Sequence, residues 1–104
     1  MNGPPPRGRY FWAMLNEETR DRLRMRLNEV HTWPSVYMFK FVLEPEQERL
    51  DRVLALFTEE AEVLRRYSTG GKYVSITARE VMMSAQEVVD RYDRASDIPG
   101  VLAL

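Results

Sequence analysis

Cysteine is absent from this 104-residue chain, and histidine occurs once, at His31. Without thiols there is no disulfide scaffold, no thiolate nucleophile and no cysteine-built zinc site, and a lone imidazole rules out a histidine pair as metal ligands. Long apolar runs are missing too: none approaches the ~20 residues that cross a bilayer, so no membrane association is expected. The first residues lack the continuous apolar core of a secretory signal, which makes the cytoplasm the expected compartment. Excess charge of one sign is also lacking. Fifteen basic and 16 acidic residues leave a net charge of −1, giving no general attraction to nucleic acid or anionic lipid.

What is present describes one ordinary globular domain, 44% hydrophobic and 30% charged. A chain of this length buries roughly two thirds of its unfolded surface. Its most informative stretch runs from Ser68 to Thr77 and predicts a β-hairpin. Gly70 and Gly71 can take the positive φ of a tight turn, and Val74, Ile76 and Ala78 then alternate with Tyr73, Ser75, Thr77 and Arg79.

Residues 1–15 divide into a Pro- and Gly-rich start, expected to be disordered, and an apolar cluster of Tyr10, Phe11, Trp12, Met14 and Leu15. This cluster reads as a segment that docks on the domain or on a partner. Residues 16–32 predict a helix capped by Asn16, with Glu17 and Glu18 in its first turn and Leu23, Leu27 and Val30 on one stripe. Arg20, Arg22, Arg24 and Arg26 look like a basic patch, but Glu18 with Arg22 and Asp21 with Arg24 have helical pairing distances, which favours a paired, solvated face. His31 reads as a capping or surface group.

Val36 to Leu43 predicts a strand with Tyr37, Phe39, Phe41 and Leu43 toward the core and Val36, Met38, Lys40 and Val42 opposite. Pro45 suits the first turn of a helix whose buried stripe is Leu50, Val53, Leu54 and Phe57, ending near Thr58. Glu62 to Ser68 alternates weakly and carries two arginines, as an edge strand does. After the third strand, Ser84 and Glu87 form a capping box for a helix with Ala85, Val88, Val89, Tyr92 and Ala95 on its apolar side. Ile98-Pro99-Gly100 turns the chain into a last strand, Val101 to Leu104. The order is a leading helix followed by βαββαβ, which predicts an α+β, ferredoxin-like sandwich over residues 33–104: a four-stranded antiparallel sheet with two helices on one face.

Three pieces of sequence resemble the small bacterial family typified by YbeD: Tyr37-x-Phe39-Lys40-Phe41, the hairpin from Ser68 to Thr77, and Tyr92 followed by Ile98-Pro99-Gly100-Val101 and Leu104. The resemblance covers roughly residues 33–104 and implies a fold similar to the ACT regulatory domains, with no established activity and no catalytic residues to carry over. ACT domains often place a glycine after the first strand to bind an amino acid. This chain has Glu44-Pro45 there instead.

No catalytic constellation emerges. Gly70-Gly71-Lys72 is followed by a strand, whereas a phosphate loop needs a helix N-terminus. The acidic loop from Leu43 to Glu48 would repel an acyl phosphate, and Glu59, Glu60 and Glu62 read as solvated carboxylates. No enzyme activity, metal or cofactor is expected. The candidate surface is the sheet face turned away from the helices: Met38, Lys40, Val42, Tyr73, Ser75, Thr77 and Arg79, with Lys72 at the rim. Its mixture of apolar, hydroxyl and cationic groups predicts a regulatory or protein-interaction domain that self-associates, binds a protein partner or senses a small ligand. Single-stranded RNA stacked on Tyr73 is the alternative, disfavoured by the single outward aromatic.

Overall fold

The computed structural model describes residues 16–104. The expectations for residues 1–15, including the aromatic cluster from Tyr10 to Leu15, lie outside the described residues. Among the described residues the fold is α+β, with three α-helices and a four-stranded antiparallel sheet. In order, it forms α1 (Glu17–Val30), β1 (Ser35–Leu43), α2 (Gln47–Leu54), β2 (Glu62–Tyr67), β3 (Val74–Met82), α3 (Ala85–Ala95) and β4 (Leu102–Ala103). The strands lie side by side as β2-β3-β1-β4. No helix among the described residues is long and apolar enough to cross a membrane.

The core forms because the two central strands alternate. Phe39, Phe41 and Leu43 of β1 and Val74, Ile76 and Ala78 of β3 are fully or almost fully buried. All of these but Ala78 meet Leu50 and Val53 of α2 and Val88, Val89, Tyr92 and Ala95 of α3 in one cluster, so both helices cover the same sheet face. The cap at Ser84 is made as its sequence requires, with Ser84 Oγ accepting from Glu87 N at 3.1 Å.

Asn16 caps α1, its Oδ1 accepting from Thr19 N at 2.9 Å. The arginines on this helix are paired: Arg22 with Glu18 at 2.6 Å, Arg24 with Asp21, and Arg26 with Glu29 at 3.8 Å. Arg20 reaches Asp93 at 2.9 Å, and Arg24 donates to Gln86 at 2.6 Å, tying α1 to α3. Val30 departs from the expected stripe. It is exposed at the C-terminal end of the helix, where the chain turns toward β1.

Helix α2 is shorter than its apolar stripe suggests. Pro45 lies outside it, before the N-cap Glu46, and the helix ends at Leu54 rather than near Thr58. Beyond that point the chain tightens into i→i−3 bonds, Leu56 N to Val53 O and Phe57 N to Leu54 O. This tighter turn carries Leu56 into the core and packs Phe57 against it from outside the helix.

The hairpin is longer than a two-residue turn. Ser68 N donates to Tyr73 O at 2.9 Å and Ser68 Oγ accepts from Tyr73 N at 2.9 Å, closing a loop with a 3-10 turn over Thr69–Gly71. Gly70 and Gly71 take φ of 83° and 73°, the left-handed conformation that only glycine adopts cheaply. The last strand is also shorter than expected. Only Phe41 with Ala103 and Val42 with Leu102 pair, and Leu104 N adds one bond to Lys40 O at 2.9 Å.

Candidate functional site

Among the described residues, strand parity leaves the second sheet face without a helix. The β1–β3 register sets Met38 opposite Arg79, Lys40 opposite Thr77 and Val42 opposite Ser75. Six of the eight residues singled out from the sequence are therefore direct cross-strand neighbours, near enough for their side chains to interact. The other two sit at the hairpin end, where Lys72 Nζ lies 5.5 Å from the centroid of the Tyr73 ring. Lys40 and Arg79 are exposed, and Val42, Ser75 and Thr77 are half-buried among their neighbours.

The face is drier than those eight residues suggest. Val36 stands opposite Val81, and these two are 59% and 54% exposed, beside Met38 at 51%. Strand β2 extends the surface, with Glu62 opposite Arg79, Leu64 opposite Thr77 and Arg66 opposite Ser75. Val36 was visible by parity in the sequence. Val81 lies beyond the stretch of β3 whose alternation is obvious, and β2 alternates too weakly to assign Leu64 to a face. Cations outnumber acids here, with Lys40, Arg66 and Arg79 against Glu62.

At the hairpin end a cleft of ≈ 200 Å³ is lined by Val42, Arg66, Tyr67, Ser68, Tyr73 and Ser75. Tyr67 belongs by parity to the helix side, yet the sheet edge leaves it 52% exposed, and it joins Tyr73 at the cleft. The Ser75 hydroxyl donates to the Arg66 carbonyl at 3.3 Å. On the helical side, a groove of ≈ 340 Å³ between the ends of α2 and α3 is lined by Arg52, Ala55, Leu56, Arg94, Asp97 and Ile98. Arg52 crosses it to donate to the Asp97 carbonyl at 3.0 Å.

The sequence did not reveal the buried charges. Glu80 continues the inward face of β3 and is buried with Arg91 of α3. Arg91 Nη1 donates to Glu80 Oε1 at 2.8 Å, and Thr58 Oγ1 donates to Glu80 Oε2 at 3.0 Å. The guanidinium also lies 5.5 Å from the ring centroids of Phe39 and Phe57, a cation–π arrangement away from solvent. Burial alone pushes the Glu80 carboxyl up, but the bonds from Arg91 and Thr58 and the Arg91 charge outweigh it and hold the carboxyl below its ordinary range. Arg91 was detectable in principle. Val88, Arg91, Tyr92 and Ala95 share the apolar spacing of one helix face, and a charge on such a stripe calls for a buried partner. Nearby, burial pushes the Tyr92 hydroxyl up, reinforced by Tyr37, whose hydroxyl is 3.0 Å away.

Among the described residues, no three of His, Cys, Asp or Glu gather as a metal site requires. A family model described as "Protein of unknown function (DUF493)" matches residues 28–104. No curated protein and no solved structure matches the chain.

Proposed function

The chain belongs to this DUF493 family, and we propose that it is a non-catalytic protein-interaction domain whose partner docks on the open face of the sheet. The strip of Val36, Met38 and Val81, more than half exposed on a face that no helix among the described residues covers, carries this reading. Covering aliphatic surface gains about 25 cal/mol per Å² removed from water. Lys40 and Arg79 flank the strip as charged groups flank the apolar centre of protein interfaces. The open-face serine supports a binding role over a catalytic one, because its hydroxyl is committed to a backbone carbonyl rather than to a base.

The strand order β2-β3-β1-β4, with a helix in each crossover, supports a ferredoxin-like reading of the fold. The YbeD-like hairpin residues support a place among small regulatory domains. The acidic residues after β1, Glu44 and Glu46, weigh against an amino-acid carboxylate binding there.

Capture experiments with the intact protein and a Met38→Asp/Val81→Asp variant test this reading. A partner retained by the wild type and by Arg52→Glu, but lost by the aspartate variant at unchanged melting temperature, is the expected result. Capture that is indifferent to the aspartates but lost with Arg52→Glu overturns it.

Single-stranded RNA is the second reading, favoured by the cleft that brings Tyr67 beside Tyr73 and Arg66. Two rings and a guanidinium suit stacked bases and their phosphates better than Tyr73 alone. Binding of single-stranded RNA that weakens with salt and with Tyr67→Ala is expected on this reading, and no binding at low salt ends it.

A further inference from the structure

Strand β2 forms one edge of the sheet, and none of its residues is fully buried. On its open-face side it presents Glu62, Leu64 and Arg66 in a row, with opposite charges on either side of a leucine that is 62% exposed. Among the described residues, neither the Glu62 carboxylate nor the Arg66 guanidinium has a hydrogen bond or ion pair, although Glu62 stands opposite Arg79 in the ladder. A strand edge with unpaired backbone groups is a template for another strand.

We propose that β2 pairs antiparallel with β2 of a second copy of this chain, about a two-fold axis through Leu64, joining the two sheets into one. In that register Glu62 of each copy faces Arg66 of the other, Leu64 faces Leu64, and Val63 faces the stem of Arg65. One symmetry operation thus satisfies both open charges twice and covers the exposed leucine, as an isologous interface requires.

Neighbouring registers do this less well. Only shifts of two residues keep open-face residues on the same side, because a shift of one turns every side chain to the opposite face. Centring the axis on Arg65 sets guanidinium against guanidinium. Centring it on Val63 leaves only residues 62–64 paired within the strand and sets Glu62 against Leu64. Charge complementarity therefore selects a single register. Arg65 and Arg66 on an edge strand also suit a guard against pairing, but a guard gives no reason for an acid four residues before Arg66.

The interface is independent of a partner on the open face, and charge exchange separates the two. Glu62→Arg and Arg66→Glu each place like charges across the axis, so each variant alone is expected to run as a monomer in sedimentation where the wild type runs with the mass of two chains. Mixing the two variants restores a dimer, because each then supplies what the other lacks, and the double variant Glu62→Arg/Arg66→Glu dimerises with itself. Cross-strand Cα atoms lie ~4.5–5.5 Å apart, a span a disulfide bridges. Because the chain has no cysteine, Leu64→Cys is expected to give a disulfide dimer on oxidation while Met38→Cys does not. A wild type that stays monomeric at every concentration overturns the proposal, and so does a dimer that survives both single charge reversals.

Discussion

Arg91 and Glu80 meet at 2.8 Å with each side chain only 7% exposed, between the rings of Phe39 and Phe57 and beneath Thr58. A buried pair of this kind is costly to break from one side, because the abandoned charge keeps little water around it and loses its counter-ion. Arg91→Met is expected to destabilise the domain by about 3–5 kcal/mol. Glu80→Leu combined with Arg91→Met removes both charges and is expected to fall well short of that loss. Urea denaturation of the two variants checks the order, and an Arg91→Met protein as stable as the wild type contradicts it.

The same pair sets an acid limit. The Glu80 carboxyl is held below its ordinary value of 4.5 in the folded chain, so its stabilising contribution is present above that value. It is lost as pH falls through the lower folded value. Stability measured against pH is expected to decline through this acid range, and Glu80→Gln is expected to flatten the decline.

At the alkaline end the sign reverses. Tyr92 is held above its ordinary value of 10.0 by burial and by Tyr37. Its contribution is therefore complete below pH 10.0 and is lost as pH rises from there toward the higher folded value. Tyr92→Phe is expected to remove that alkaline decline from the stability profile.

Much of the architecture was legible because two residue patterns are clean. Phe39, Phe41 and Leu43, and likewise Val74, Ile76 and Ala78, alternate with polar or smaller neighbours, and Ala85 to Ala95 repeats with helical spacing. The misreadings have local causes. Phe57 kept the helical period of Leu50 and Val53, but the chain had already tightened after Leu54. Glu80 was hidden because a charged residue at an inward position reads as the end of alternation, and only Arg91, distant in sequence, explains it. Tyr67 reached the cleft because the strand edge leaves its ring uncovered, which strand parity does not express.

The hairpin makes a sharper test of backbone than of packing. A Cβ at Gly71 meets nothing within 4 Å, so Gly71→Ala probes its φ of 73° without a clash. The left-handed conformation costs a non-glycine residue roughly 1–2 kcal/mol. Thermal unfolding is expected to show a loss of that order, and an unchanged melting temperature means that the loop relaxes.

Docking on the open face is tested most directly by placing a photo-cross-linking residue at Met38 and, in a second protein, at Arg52 on the helical side, then irradiating each in its native host. The account predicts a discrete covalent adduct from Met38 that disappears when Val81 is also changed to Asp. An adduct from Arg52 with none from Met38 would contradict it.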